Sequence, residues 1–596
     1  MDTLGIPIVV LVIGILCLAL ISGGGRKGEL IADARWAGRK EKLNAWKKAI
    51  AQSKNPEIDS TSLFLGRLPK CPWMTALEIL LFNKSSSVVP FANTQGSILV
   101  FGSPDVGKTT TINNRIIQDN LRRKLGPMIV FDPKGDLVVA NAPYAEALGW
   151  ESFFLAPGRK YTDALNMFDF FKGRDRILST VTNQAAISTI RNTKSADAGK
   201  SDAFFGASGE ALVRSGMMLT HHSPYKDLVM LKEVLCAENL ASRVRELEIQ
   251  GELPWQVASS FRQFISGKSS DKTLGGIQAT ASLVFDSFVR EEFFNAFVRQ
   301  STIPLNLSGK QVIFIQPMRG FEDVCMPVIS TLIELLIERN FATPRNDSLL
   351  LLVDEKHLTY FPSLMKWSAF LRSSGLIMVL LTQAISQIRQ RYGQNDVNTM
   401  FSTFRTKIFM NPDDLETAKW VSEKVGDVDK FYRQSSRSYG KGGNRTDSKQ
   451  RRQTRLISPQ KVNSMKRGEF IYWNSANAND EEDGLPVKLR YVVPQEELDL
   501  ETNCKKFWKE VMLPRVIKER QPKHLTSEQM AEFFAKRAKA IDFLFPLPKE
   551  EEQKTASDPI FKKQPHLKGV IKNNVEQILP RRTRHGSSPV ESTLTS

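Results

Sequence analysis

Cysteine and histidine are scarce in this chain, and their spacing excludes several kinds of site. The five cysteines include no CxxC pair, which argues against a disulfide framework and against a structural zinc site. The six histidines show no HExxH or other ligand spacing, and the adjacent His221 and His222 would point in different directions from a helix or a strand. We therefore interpret both histidines as surface or packing residues.

Acidic residues are also outnumbered, with 64 Asp and Glu against 82 Lys and Arg. The resulting net charge of +18 indicates an acidic partner, either nucleic acid or an anionic lipid surface. A length of 596 residues predicts two or more domains, and 41% apolar residues is typical of a globular protein.

Charge is absent from Leu4 to Ser22, where most residues are Ile, Leu or Val. A helix of this length rises about 28 Å, close to the thickness of a hydrocarbon core, so we expect one transmembrane helix. A cleaved signal peptide is the competing interpretation, but only Asp2 precedes the apolar run. Basic residues from Arg26 to Lys48 follow it and predict a cytoplasmic location for the rest of the chain. A second span at Met74–Phe82 is too short.

After Gly96, apolar runs alternate with amphipathic stretches, whereas helical patterns dominate between about 172 and 300. This alternation predicts an α/β fold with a parallel sheet covered by helices and an inserted all-α domain. We predict a transmembrane anchor at 1–25, a membrane-proximal linker at 26–95, a nucleotide domain at 96–171 and 301–500, an all-α domain at 172–300 and a C-terminal tail at 501–596. Predicted strands lie at Ser97–Phe101, Met128–Phe131, Ser152–Leu155, Gln311–Gln316, Leu349–Asp354, Ile377–Thr382 and Thr406–Met410, and a helix at Thr109–Lys124.

Two later segments have a different composition. Residues 433–455 lack an apolar residue that could anchor them, so we predict a mobile loop there. Beyond about 515 we predict one helix, Ser527–Phe543, within basic segments rich in Pro and Ser, and disorder over the last forty residues.

A glycine-rich segment, GSPDVGKT, lies between a predicted buried strand and a predicted helix and fits G-x-x-x-x-G-K-[ST]. Glycines allow backbone N–H groups to surround a phosphate, and the helix N-terminus adds positive potential. We predict that Lys108 binds the β- and γ-phosphates and that the Thr109 hydroxyl binds Mg²⁺. The predicted nucleotide-binding residues are Gly102, Ser103, Pro104, Asp105, Val106, Gly107, Lys108, Thr109 and Thr110.

Two carboxylates follow the aliphatic run Leu349–Val353. We predict that Asp354 holds the Mg²⁺ with Thr109, and that Glu355 polarises the attacking water as a general base. Gln383 ends the strand Ile377–Thr382, where it could contact the γ-phosphate or the water and sense the nucleotide state.

Three further features stay open at this point. Arg372 ends a predicted helix and Arg405 precedes a predicted strand, so either could act as an arginine finger on a neighbouring subunit or be a plain surface residue. The segment Asp132–Asp136, Asp-Pro-Lys-Gly-Asp, is either a turn or a loop beside the nucleotide.

The order of these segments resembles the TraG/TraD-type coupling ATPases of conjugation and type IV secretion. The similarity is greatest in DEKHLTYFPSLMKWSAFLRSSGLIMVLLTQAISQIRQRYG, residues 354–393. Shorter pieces agree in order: Ala34–Ala37, Phe64–Gly66, Asp132–Gly135 and Asp202–Phe205. The resemblance implies a RecA-like motor with an inserted all-α domain in a homo-hexameric ring at the inner membrane. It also implies ATP and Mg²⁺ as cofactors, and a relaxase–DNA complex and a type IV secretion channel as partners.

We therefore expect an ATP-driven translocase that couples a nucleoprotein to a secretion channel. Basic residues facing the channel of the ring would contact DNA phosphates without reading sequence. One alternative is a coupling ATPase for protein effectors only. Another is a recruitment platform that binds nucleotide without turnover, because Asp105 places a negative charge in the phosphate loop.

Overall fold

A computed structural model describes residues 32–68, 76, 85–193, 202–265, 271–437, 445–478 and 484–548. Its centre is a ten-stranded sheet in the order β2-β14-β13-β10-β4-β9-β8-β5-β7-β6. The seven strands from β10 to β6 are parallel, while β13 and β14 extend the sheet antiparallel. The strands are β1 Leu63–Leu65, β2 Ser85–Ser86, β3 Val89–Phe91, β4 Ile98–Phe101, β5 Met128–Phe131, β6 Glu151–Leu155, β7 Gln311–Ile315, β8 Leu349–Val353, β9 Leu376–Thr382, β10 Thr406–Phe409, β11 Asp427–Arg437, β12 Arg445–Arg455, β13 Glu469–Trp473 and β14 Val487–Tyr491.

Each central strand is buried on both faces, because side chains alternate across the sheet and both sides carry helices. Ile98 and Val100 join one core, with helices that follow β4 and β5, whereas Leu99 and Phe101 join the other. The helices are α1 Arg39–Lys54, α2 Asn114–Arg123, α3 Asp136–Ala147, α4 Leu178–Thr193, α5 Asp202–His222, α6 Leu228–Cys236, α7 Leu240–Ile249, α8 Trp255–Ile265, α9 Asp271–Phe288, α10 Glu291–Phe297, α11 Glu322–Asn340, α12 Leu364–Phe370, α13 Ile385–Tyr392, α14 Gln394–Thr403, α15 Leu415–Val425, α16 Pro459–Val462, α17 Gln495–Phe507, α18 Leu513–Arg520 and α19 Ser527–Leu544.

The fold class predicted from the sequence is confirmed in its main feature, a large and mostly parallel sheet between helices. The strand positions agree with the prediction to within one residue at each end. In sequence, helices α4–α10 lie between the edge strand β6 and its neighbour β7, within the range predicted for the all-α domain. Helix α19 begins at a capping box formed by Thr526 and Gln529.

The prediction of a mobile loop at 433–455 is wrong for the residues that the structure describes. Strands β11 and β12 form an antiparallel two-stranded ribbon from Asp427–Arg455 to Arg437–Arg445. Backbone hydrogen bonds hold this ribbon, and they do not require the apolar residues whose absence suggested a loop.

The predicted single-pass membrane location also needs correction. No helix in the described ranges is long and apolar enough to cross a membrane. The two longest, α5 with 21 residues and α11 with 19, are interrupted by charged residues such as Arg214 and Glu334. The segment Leu4–Ser22 and the last forty residues lie outside the described residues.

Candidate functional site

The predicted phosphate loop connects β4 to helix α2 at the carboxyl edge of the parallel strands. Its backbone is fixed to neighbouring strand ends, because Gly102 N donates to Thr382 O at 3.2 Å and Ser103 N donates to Asn411 O at 2.8 Å. Gly107 has a φ of +96°, and a Cβ there would lie 3.0 Å from Thr111 Oγ1, so the position favours glycine on both counts. The loop therefore forms a concave backbone turn at the start of a helical segment.

The helix after this loop starts with a π-helical turn, Thr109–Asn113. Thr109 and Thr110 are half-buried, and the Thr110 hydroxyl lies 3.4 Å from Gly107 O. Asp105 is exposed and adopts a φ of +62°, while Val106 packs at the margin of the core. Pro104 is exposed at the tip of the loop. All nine predicted nucleotide-binding residues thus belong to one continuous turn.

Lys108 is buried, with 7% of its surface exposed, and Nζ donates to Gly102 O at 2.6 Å. Burial lowers its pKa, while the negative charges of Glu355 and Asp354 act in the opposite direction. The lysine and the acidic pair are therefore close enough to interact electrostatically, although the chain between them is long. The strand order β4-β9-β8 explains this, since only β9 separates their two strands.

The acidic pair lies directly after β8. Asp354 and Glu355 are 4% and 5% exposed, and Asp354 N donates to Phe131 O at 3.1 Å. Burial and the charge of Glu355 raise the pKa of Asp354. Burial also acts to raise the pKa of Glu355, but Lys108 and Lys134 outweigh it and hold that pKa below its usual value. Glu355 has a φ of +50°, an uncommon conformation for this residue type and one associated with functional sites.

The segment Asp132–Asp136, which the sequence left open, is both a turn and a neighbour of the acidic pair. The Asp132 carboxylate accepts hydrogen bonds from Gly135 N and Val138 N, both at 2.9 Å, and so fixes the turn at the start of α3. Lys134 Nζ lies 3.0 Å from Glu355 Oε1. Arg319 Nη2 donates to Lys134 O at 2.6 Å and holds the turn from the other side. The sequence could not assign this contact, because Lys134 and Glu355 are 221 positions apart.

Gln383 contacts the other oxygen of the same carboxylate. Its Nε2 donates to Glu355 Oε2 at 3.3 Å. The sequence did not indicate a role for Gln387, whose Oε1 accepts from Gln383 N at 3.2 Å and from the Thr382 hydroxyl at 3.1 Å. It also did not indicate one for His357, whose Nδ1 lies 3.6 Å from Glu355 Oε2. Both carboxylate oxygens of Glu355 are thus positioned by side chains from three separate strand ends.

Arg372 does not belong to the Glu355 cluster of its own chain. It precedes β9, and Arg405 precedes β10, so both lie at the amino edge of strands whose carboxyl edge carries the phosphate loop. Burial and the positive charge of Arg372 lower the pKa of Arg405, which shows that the two arginines are neighbours. Either could reach a nucleotide only on another subunit.

The segment after the acidic pair is tied to the helical block. Lys356 is 1% exposed, and its Nζ donates to the Tyr392 hydroxyl at 2.6 Å. Burial holds the pKa of Lys356 well below its usual value. Tyr360 N donates to Asn192 Oδ1, and Asn192 Nδ2 donates to Tyr360 O, both at 2.8 Å. Since Asn192 belongs to α4, a pair of hydrogen bonds joins the acidic segment to the inserted helices.

A buried ion cluster anchors the other side of the helix that follows the phosphate loop. Arg115, with its side chain fully buried, pairs with Glu497 and Glu501 of α17. Arg122 contacts Glu497 at 3.1 Å, and the Tyr491 hydroxyl lies 3.4 Å from the same carboxylate. This cluster fixes α2 against the C-terminal helices, and no local sequence pattern indicated it.

The residues at the loop fit a magnesium nucleotide. A Cβ at Gly107 would lie 3.0 Å from Thr111 Oγ1, and Lys108 is buried near two carboxylates. The hydroxyl of Thr109 and the carboxylate of Asp354 are oxygen groups of the kind that Mg²⁺ prefers. In the ranges that the structure describes, no group of three or more His, Cys, Asp or Glu side chains could hold a metal ion by itself.

Comparisons with known proteins find relatives among conjugation proteins. Residues 348–467 match the family model described as "TraM recognition site of TraD and TraG". The chain is 30% identical over 152 residues to the conjugal transfer protein TraG of Agrobacterium fabrum, and 29% identical over 175 residues to that of Rhizobium radiobacter. These stretches are 25% and 28% of this chain and 23% and 27% of the relatives, so the chain matches about a quarter of their length.

Two solved structures share the fold. The bacterial conjugative coupling protein TrwBdeltaN70, in its trigonal form with sulphate, aligns with a TM-score of 0.54 and 15% identity over 79% of this chain and 97% of that one. TrwB in complex with the non-hydrolysable ATP analogue ADPNP gives a TM-score of 0.53 and 13% identity with the same coverage. Together with the TraG relatives, these matches confirm the resemblance to conjugation coupling proteins.

Proposed function

We propose that this chain, a relative of the conjugation coupling proteins, is an ATPase that drives a relaxase–DNA complex into a type IV secretion channel. The observation that carries this proposal is the convergence of Lys108 with Asp354 and Glu355 at one edge of the sheet. A phosphate-binding loop facing two buried carboxylates is the arrangement that phosphoryl transfer requires. The solved TrwB complex with an ATP analogue supports nucleotide as the ligand.

Each residue has a separate task in this proposal. The loop residues 102–110 surround the phosphates, and the backbone N–H groups from Asp105 to Thr110 bind them, since those of Gly102 and Ser103 already bond to neighbouring strand ends. Lys108 leaves Gly102 O to contact the β- and γ-phosphates. Thr109 and Asp354 would hold Mg²⁺, which neutralises charge on the phosphates when bound. Glu355 accepts a proton from the attacking water, and its low pKa keeps it ionised for that role.

Gln383 and Lys134 position the general base. Both contact the Glu355 carboxylate, at 3.3 Å and 3.0 Å, so a γ-phosphate entering the site would compete for these same groups. We assign Gln383 to sensing the phosphate through this competition. Arg372 would act on the nucleotide of a neighbouring subunit, which requires a ring, and we propose a homo-hexamer.

Nucleoprotein cargo is supported by the excess of positive charge and by the match to the TraG and TraD family model. The two alternatives differ from this proposal in measurable ways. A coupling ATPase for protein effectors would lack DNA affinity that falls steeply with salt. A platform without turnover would bind ATP and not hydrolyse it.

The test is steady-state ATP hydrolysis by the full chain, with and without DNA, beside binding of a fluorescent ATP analogue. We expect Lys108→Ala to lose nucleotide affinity, because its ammonium no longer contacts the phosphates. Glu355→Gln should keep nucleotide affinity and lose about 100- to 10,000-fold in kcat, the usual contribution of a general base. Lys172→Ala, which changes an exposed lysine paired with Asp169 away from the site, is the matched control.

Absence of hydrolysis by an assembled wild-type ring, with or without DNA, would favour the platform. A DNA-transfer assay with Lys108→Ala, at matched protein level, then tests the coupling role. Unchanged transfer by that variant would contradict a motor function.

A further inference from the structure

The β11–β12 ribbon is a strongly basic surface that the proposed hydrolysis does not use. Its two strands carry eight Lys and Arg residues against three Asp. The register pairs Lys430 with Arg452, Phe431 with Arg451 and Tyr432 with Gln450. Since side chains alternate along a strand, these pairs separate into two faces.

The two faces differ in how their charges are balanced. On one face, Arg451 forms an ion pair with Asp429 beside Phe431. On the other face, Lys430 lies directly opposite Arg452, and neither has a carboxylate partner among the residues that the structure describes. Like charges in directly opposed positions destabilise a ribbon, so this pair favours binding of an anion.

An exposed aromatic ring stands beside this cation pair. Tyr432 is two residues beyond Lys430 on the same face, and 48% of its surface is exposed. Neighbouring positions on one face are about 7 Å apart along the strand. A flat ring with two cations on one side of it can stack a nucleic-acid base while the cations contact the adjacent phosphates. An acidic peptide would use the cations but would have no base to stack on the ring.

The base of the ribbon is held in place, so this face is ordered before binding. The N-terminal segment runs along the outer edge of β11, where Ala34 N donates to Asp427 O at 2.9 Å and Asp429 N donates to Ala32 O at 3.0 Å. Just before β11 and just after β12, Leu456 N donates to Gly426 O at 3.0 Å, which joins the two strands at the base. A preformed surface loses less entropy on binding than a mobile loop.

We propose that the face formed by Lys430, Tyr432 and Arg452 binds single-stranded nucleic acid. Tyr432 stacks on a base, and Lys430 and Arg452 contact phosphates on one side of that base, without reading sequence. The inference rests on the proposed function only for the source of the strand, which would be the cargo.

The test uses the full chain and a fluorescein-labelled single-stranded DNA of mixed sequence, with anisotropy measured over a range of salt concentrations. Lys430→Ala and Arg452→Ala should each reduce the slope of log affinity against log salt by about 0.7, because each removes one phosphate contact. Tyr432→Ala should lower affinity about 5- to 150-fold with the slope unchanged, because stacking releases no counterions. For a duplex of the same sequence, only the two charge variants should have an effect.

The opposite face supplies a matched control. Phe431→Ala removes an exposed ring one position away from Tyr432, so it tests for a general disturbance of the ribbon. It should leave single-strand affinity unchanged, and thermal unfolding of every variant monitors folding.

Two outcomes overturn the proposal. Equal losses from Phe431→Ala and Tyr432→Ala would refute the assignment to one face. The second outcome is unchanged DNA affinity in both Tyr432→Ala and Arg452→Ala, together with binding of polyglutamate to the ribbon of the wild-type chain. That result would identify the ribbon as a docking surface for an acidic protein. A wild-type chain that binds single-stranded DNA but does not hydrolyse ATP would contradict the proposed motor and leave this inference intact.

Discussion

Replacing Arg115 by methionine tests the idea that the C-terminal helices hold the helix that follows the phosphate loop. Arg115 is fully buried between Glu497 and Glu501, whose side chains are each 5% exposed. Methionine fills a similar volume but leaves two carboxylates in a poorly solvated position. The perturbation is therefore electrostatic more than steric.

The expected loss in the free energy of unfolding follows from the burial of this ion cluster. Removing one partner of a buried ion pair costs about 3–5 kcal/mol, because the remaining charge is left uncompensated. Glu497 keeps Arg122 at 3.1 Å, so we expect the lower end, about 3 kcal/mol. The matched control is Arg515→Ala. It breaks an ion pair between Arg515 of α18 and Glu146 of α3, which also joins a C-terminal helix to a helix that covers the sheet. That pair is exposed, at 43% and 38%, so about 0–1 kcal/mol is expected.

The assay is urea unfolding of the full chain, followed by tryptophan fluorescence, with binding of a fluorescent ATP analogue measured in parallel. Arg115→Met should lower the urea midpoint well below that of Arg515→Ala and should weaken nucleotide binding, since α2 carries the loop. Adding Glu501→Gln to Arg115→Met should recover part of the loss, because it neutralises one stranded carboxylate. Equal midpoints for Arg115→Met and Arg515→Ala would refute the reasoning.

Two further predictions concern the acidic pair and the adjacent turn. Lys134→Met should raise the pKa of Glu355, because the charge of Lys134 helps to hold that pKa below its usual value. The acid limb of the pH–rate profile should then move to higher pH. An unmoved limb would exclude an effect of Lys134 on the general base. Burial raises the pKa of Asp132 to about 7, above the ordinary 3.8, so the folded chain binds this proton more tightly and loses stability as pH rises from about 4 to about 7. Asp132→Asn should flatten that loss, as measured by thermal midpoints at pH 5 and pH 7.5, and an identical pH dependence in both proteins would contradict the assignment.

The sequence predicted the central strands because continuous aliphatic runs such as Leu349–Val353 are typical of strands buried on both faces. It failed at residues 433–455 because a ribbon held by backbone hydrogen bonds needs no apolar pattern. The antiparallel strands β13 and β14 were also missed. Strand β14 alternates buried and exposed residues at the sheet margin, so its pattern is weaker than that of a central strand.

For the site, the glycine-rich loop and the acidic pair could be predicted because local sequence specifies a phosphate-binding turn and a strand end. The partners of Glu355 could not be predicted in the same way. Lys134 reaches it from the end of the neighbouring strand β5, and Gln383 reaches it from the end of β9, so both contacts depend on strand order. Only the three-dimensional arrangement separates the turn at Asp132–Asp136 from an ordinary surface loop.

The paired hydrogen bonds between Tyr360 and Asn192 limit how the chain can respond to a ligand. Only four residues separate Glu355 from Tyr360, and Lys356 between them is buried against Tyr392. A shift of the acidic segment must therefore either carry α4 with it or break both bonds. If the bonds persist through the nucleotide cycle, the inserted helices move in step with the chemistry, and mechanical work leaves the sheet through this short connection.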